Sequence, residues 1–225
     1  MLPGLFYCLP VIFSYHIWTF DINTSILMHS IGLVALLKEY IMNLDQMRLD
    51  CSLKQKKGLH FILASVVIWC ALIWVHVSTL PVLTKNLVTF CCTAPLMPLA
   101  YFISKIIKVD FQNKDNPLTN LGILFSVNQM LYLLIAMWVY SAVPEKMLMV
   151  IAMIFGAHLL PYGWLYRSKA YMALSVAIPI LSLIVGLNYQ AYVLAAMMAF
   201  IEILFSLLLF FENKKLASQT SATNK

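Results

Sequence analysis

Apolar positions in this chain neither alternate with polar ones nor recur as narrow stripes. They run in long blocks, and every charge but Lys105 and Glu202 lies outside them. Six blocks cover Leu59–Leu80, Leu87–Ile107, Leu121–Val139, Met147–Tyr166, Tyr171–Leu187 and Ala191–Phe211. Each approaches the roughly 20 residues that carry an α-helix across a hydrocarbon core about 30 Å thick. Barrel strands are shorter and alternate, so the blocks do not read as strands. Backbone amides in lipid must bond within their own segment, which leaves helices. The pattern predicts an all-α, polytopic transmembrane helix bundle with six core helices.

The blocks divide the chain into four parts. These are an N-terminal apolar extension (1–41), a basic segment (42–58), a six-helix transmembrane domain (59–211) and a polar tail (212–225). The tail is rich in small polar residues and is expected to be irregular. In the extension, Leu2–Phe20 is broken by Pro3, Pro10 and His16 and lacks a basic leader, so it does not read as a signal peptide. Ser25–Leu37 is short for a span. Two readings compete for residues 1–41: one extra N-terminal apolar helix forming a seventh span, or an over-extended gene start. The second rests on Lys38-Glu39, which AAGGAG, a bacterial ribosome-binding sequence, can encode. Tyr40-Ile41 then spaces it from the ATG of Met42, where a polar, basic start (MNLDQMRLDCSLKQKKG) begins.

Composition agrees with the blocks. Of 225 residues, 62% are apolar and 11% charged, which excludes an ordinary soluble domain. The net charge of +6 would suit nucleic acid, but its placement does not. Arg48, Lys54, Lys56 and Lys57 precede the first span; Lys105, Lys108 and Lys114 follow the second. Arg167 and Lys169 follow the fourth, and Lys214, Lys215 and Lys225 the sixth. The opposite gaps hold only Lys85 and Lys146. This positive-inside pattern puts residues 42–58 and the C-terminus in the cytoplasm, against anionic headgroups, with no nucleic acid required.

Catalytic chemistry has no signature here. There is no H-E-x-x-H, no G-x-S-x-G and no paired aspartate motif. Cys8, Cys51, Cys70, Cys91 and Cys92 form no C-x-x-C and no metal-ligand spacing. The expectation is no catalytic residue, no cofactor and no metal. Lys85, Asn86, Glu145 and Lys146 read as rim residues, and Trp74 and His76 as interfacial ones. Tyr162, Trp164 and Tyr166 read as an aromatic belt, and Thr119 or Asn120 as the cap of the third helix.

The candidate site is a set of polar residues at mid-depth. Asn128-Gln129 lies near the middle of the third span, His158 of the fourth and Glu202 of the sixth. A charge there costs roughly 2.5–3.5 kcal/mol on insertion scales, so Glu202 should face the bundle interior and either pair or stay protonated. His158 is its expected partner, with Asn128 and Gln129 as alternatives. Adjacent Asn128 and Gln129 point about 100° apart on a helix, so both cannot serve one site equally. Pro95 and Pro98 predict a kink in the second span. Split three plus three, the halves have opposite orientation, as in inverted-repeat transporters, though no sequence match joins them. Pro95 and Pro98 lie on the middle helix of one half and Pro179 on that of the other.

The stretches KKGLHFILASVVIW, KNLVTFCCTAPLMPLA, SKIIKVDFQNKDNPLTNLG and MIFGAHLLPYGWLY resemble a family of small bacterial integral membrane proteins of unknown function. The resemblance runs from about Met42 to the last span. It implies a bacterial cytoplasmic membrane and a start at Met42, and it carries over no activity and no site residue. Three function classes then compete. The first is a non-catalytic membrane component, such as a partner subunit, sensor or immunity-type factor. The second is a small-solute transporter or permease-like protein with a mid-membrane polar site. A membrane enzyme comes third. The partners expected are the lipid bilayer, a small solute or proton, and a membrane protein partner or a second copy of the chain.

Overall fold

A computed structural model describes residues 43–111 and 113–223. The chain divides into two units, residues 1–44 and 45–225. The expectations for residues 1–41 fall outside the described residues. Among the described residues the chain is all-α, without strands. A helix α1 (43–54) leads into α2 (Leu59–Val77). Then come α3 (Val82–Thr93), α4 (Leu96–Ile106), α5 (Leu118–Ala142), α6 (Met147–Ala157), α7 (Leu159–Leu165), α8 (Lys169–Asn188) and α9 (Ala191–Thr223). Six helical segments among the described residues are long and apolar enough to cross a membrane; two of them combine a pair of helices, α3 with α4 and α6 with α7. This is the architecture of a multi-pass membrane protein.

Prolines set both divisions. Pro98 has no N–H to give Ala94 O, and Pro161 none to give Ala157 O, so each helix breaks four residues before a proline. The kink expected in the second span thus falls at Ala94–Pro95, and the fourth span, read as continuous, breaks at His158.

The pairing of α2 with α9 is the most extensive in the bundle, followed by α6 with α8. Ile62, Trp69 and Leu72 of α2 face Leu194, Met198, Phe205 and Leu209 of α9 in one buried cluster. Spacings of three and four keep these side chains on one face of each helix. Along α6–α8, small residues permit close approach. A Cβ at Gly156 would lie 2.6 Å from both Ile178 Cγ2 and Pro179 Cδ. By contrast α5 packs mainly against α6 and α7, with Ala136 and Val139 its buried residues.

A polar collar closes the end of the bundle where the basic residues gather. Lys56, Lys57 and Gly58 take left-handed φ values of 46°, 51° and 69° in succession. Left-handed geometry costs an L-residue roughly 1–2 kcal/mol, so the two lysines must be held. Lys57 Nζ donates to Glu212 Oε2 at 2.7 Å, and Tyr171 OH to Lys57 O at 2.9 Å. Lys56 Nζ donates to Ile107 O, and Asn213 Nδ2 to Lys56 O at 2.8 Å.

Two expectations for this end change. The loop between α4 and α5 buries Asn113 and Asn116, which donate to Asp50 Oδ2 at 3.0 and 2.9 Å. Asn116 Oδ1 also accepts from Leu118 N, so Asn116 caps α5 in place of Thr119 or Asn120. The tail, expected to be irregular, continues α9 to Thr223. Glu212 and Asn213 anchor it, and Ser218, Thr220 and Ser221 bond back to carbonyls one turn earlier.

At the opposite end His76 is buried and bonds Thr89 Oγ1 at 3.1 Å, so it joins α2 to α3 instead of lying at an interface. Asn86 is buried too, donating to Pro144 O at 2.8 Å. Trp74 is exposed, as an interfacial ring would be.

Candidate functional site

Between α2 and the α5–α7 layer lies a cavity of about 410 Å³. Its deepest walls are buried side chains: Leu72, Leu159, Tyr166 and Tyr171. Its rim is exposed, with Ala94 and Met97 on one side and Met130 of α5 on the other. The gap exists because α5 leans on α6 and α7 without comparable packing against α3 or α4. Ala94 and Met130 are the central residues of two 25-residue helical segments, so this opening lies midway along both.

The lining is mostly aliphatic and aromatic, with a few polar groups. Gln129 of α5 and His158, at the α6–α7 break, are among them, with Ser65, Thr93 and Ser126. Tyr162 OH donates to Gly122 O at 3.0 Å and lies 2.6 Å from Ser126 Oγ, which ties α7 to α5 across one wall. Rings follow one another along the same wall. Phe155 and His158 are 5.2 Å apart between centroids, His158 and Tyr162 5.8 Å, and Tyr162 stacks on Tyr166 at 6.0 Å. The aromatic belt read at this level is therefore divided. Trp164 faces outward beneath Arg48, at 4.5 Å, whereas Tyr162 and Tyr166 turn inward.

Glu202 is wholly buried, but its partner is not His158. Its Oε2 lies 2.5 Å from Ser65 Oγ, and Oε1 has no partner among the described residues. The His158 ring instead bonds Phe155 O, in its own helix. Ser65 Oγ is also 2.9 Å from Ile62 O. One hydroxyl proton cannot serve two acceptors. Both contacts are satisfied when Glu202 carries a proton and gives it to Ser65 Oγ, which gives its own to Ile62 O. Such a neutral carboxyl also explains how Oε1 stays without a donor in the α2–α9 interface. Glu202 does not line the cavity, whereas Ser65 does.

Of the four residues singled out at mid-depth, the cavity brings together Gln129 and His158. Glu202 stands behind it through Ser65. Asn128 faces outward and bonds Tyr132 OH at 3.0 Å, one helical turn along α5. Ser65 escaped sequence reasoning, although Ile62, Ser65, Trp69, Leu72 and His76 form a stripe at helical spacing, all buried. His60 escaped it too. It is buried between Phe61 and Phe111 with both ring nitrogens unpaired, outside the cavity lining.

Among the described residues, no three His, Cys, Asp or Glu side chains gather as metal ligands would. Outside the spans, burial pushes the Cys51 thiol up. Neither a curated protein nor a solved structure matches the chain. A family model matches residues 44–212, from α1 into the polar end of α9, and by that coverage the chain belongs to a family of unknown function (DUF7010).

Proposed function

We propose that this chain is a non-catalytic membrane component that binds a small, mostly apolar molecule in the cavity beside α5. The cavity itself carries the reading. About 410 Å³ lined by aromatic and aliphatic side chains, with Gln129, His158 and Ser65 converging on it, has the size and make-up of a ligand site. Its rim at Ala94 and Met130 lies at the centre of two spans, so it faces hydrocarbon and takes its ligand from the lipid. In this reading Gln129 and His158 orient the ligand's hydrogen-bonding group. Glu202 and Ser65 clamp α2 to α9 behind the wall, and Asn128 plays no part. The resemblance of the sequence supports a bacterial cell membrane, and the distribution of lysine and arginine supports residues 42–58 and the C-terminus on the cytoplasmic side.

A second reading, permease-like movement of the bound molecule, is favoured by the helix breaks at Ala94–Pro95 and His158. Both border the cavity, as the discontinuous helices of transporters border their midplane sites.

A photoreactive alkyl-diazirine alcohol, added to membranes containing the full chain and mapped by mass spectrometry, tests the reading. Cross-links are expected on peptides bearing Gln129, Phe155 and His158. They should vanish in Ala94→Trp, which fills the rim. Labelling confined to the outer face of α5, at Leu131, Ile135 and Trp138, and indifferent to Ala94→Trp, refutes it.

A further inference from the structure

A second cavity, of about 370 Å³, lies in the basic collar. Its lining holds four cations, Lys57, Arg167, Lys169 and Lys215, against one carboxylate, Glu212. That carboxylate is already engaged on both oxygens. Oε2 pairs with Lys57 at 2.7 Å and Oε1 accepts from Ala170 N at 3.3 Å, in the first turn of α8. Arg167 shares the exposed Asp45 at 3.5 Å. Lys169 and Lys215 are exposed, and neither forms an ion pair among the described residues.

The depth of this pocket is fixed by the helices that form it. The apolar block of α9 ends at Phe211, next to Glu212, and α8 starts at Lys169. Phe210 and Phe211 are exposed immediately below, and Trp164 is exposed nearby in sequence to Arg167. Exposed rings followed by converging lysines are what a helix presents where hydrocarbon gives way to headgroups. Basic pockets at that level attract anionic phosphates. Lysine, as a compact point charge, suits a phosphate whose orientation is not fixed.

We infer that this pocket binds a phosphate-bearing anion, in the form of either an anionic phospholipid headgroup or free phosphate. Glu212 holds Lys57 at the back, so Lys169 and Lys215 are the cations that meet the ligand. Tyr166 lines this pocket and the central cavity alike, so its ring is a shared wall between them.

The test uses the full chain in a neutral detergent. Phosphatidylglycerol, phosphatidylcholine and inorganic phosphate are titrated separately, and bound mass is read by native mass spectrometry. The variant K169Q/K215Q removes two pocket charges, and K114Q/K214Q removes two from exposed positions outside it. Preferential binding of phosphatidylglycerol over phosphatidylcholine, weakened about 30-fold by the first variant and unchanged by the second, supports the headgroup. Saturable binding of inorganic phosphate with the same sensitivity supports the free anion. Equal weakening by both variants, or no binding of either anion by a folded protein, overturns the inference.

Discussion

Substituting Gly156 by alanine tests the packing that sets the cavity's inner wall. The new Cβ would stand 2.6 Å from Ile178 Cγ2, 2.6 Å from Pro179 Cδ and 2.7 Å from Ile178 Cβ. Ordinary carbon contacts lie near 3.5–4.0 Å, so α6 must move about 1 Å from α8. Neither obstacle can swing aside: one is β-branched and the other is a ring closed on its own backbone. Overpacking of this kind costs about 1–3 kcal/mol, and the better helix propensity of alanine returns at most ~1 kcal/mol. The net expectation is a loss of about 1–2 kcal/mol. Gly122 is the internal control. Its added Cβ would meet Leu165 Cδ2 at 3.4 Å, an ordinary contact with a mobile methyl, so Gly122→Ala should be neutral or slightly stabilising. The assay is unfolding in mixed micelles, titrated with dodecyl sulfate and followed by far-UV circular dichroism. Equal midpoints for the two alanine variants would refute the close approach of α6 and α8.

Two further outcomes are expected. Burial pushes the Asp50 carboxyl up, but hydrogen bonds from Asn116, Asn113 and Lys54 outweigh it and hold the group below its usual value. The unfolded chain protonates near ~3.9, so this contribution is complete above that pH and is lost as pH falls through the lower folded value. Acid unfolding of the wild type should therefore steepen below about pH 4, and Asp50→Asn should abolish that steepening; parallel curves would remove the argument. Ser65→Ala strips Glu202 of its hydrogen-bond partner at full burial and should cost about 1–3 kcal/mol. Glu202→Leu should restore much of that loss in a double-mutant cycle, and strictly additive effects would show that the pair is not coupled.

The spans were legible because the length of an apolar run is a one-dimensional property. The fifth block, read as Tyr171–Leu187, is α8 from Lys169 to Asn188. Position along the helices was legible for the same reason, and Gln129, His158 and Glu202 do lie within long apolar helical segments. Direction around the helix was not. Glu202 meets Ser65 because α2 is the main neighbour of α9, ahead of α6, and such a choice of neighbour belongs to the packed bundle. The adjacent Asn128 and Gln129 show how far geometry reaches unaided. One of them had to face away, but which one depended on where α5 leans. The buried asparagines of loop 107–117 were hidden because their carboxylate, Asp50, lies more than fifty residues earlier in the chain. The break at His158 was readable in principle, since Pro161 stands one turn downstream of Ala157.

The left-handed turn at Lys56–Gly58 bears on the order in which the chain assembles. Two of the bonds that hold it come from Glu212 and Asn213, which lie 155 and 157 residues later than the positions they bind. Synthesis proceeds from the N-terminus, so a nascent chain can place α2 in the bilayer long before those partners exist. Until then Lys57 Nζ and Lys56 O lack those two partners, while Ile107 and Tyr171 already bond the turn and Asn113 and Asn116 already bond Asp50 of α1. Arrival of Glu212 and Asn213 completes the set of bonds around the turn. A late helix thus completes an early turn, and a chain truncated before residue 212 would insert its early spans with that turn only partly held.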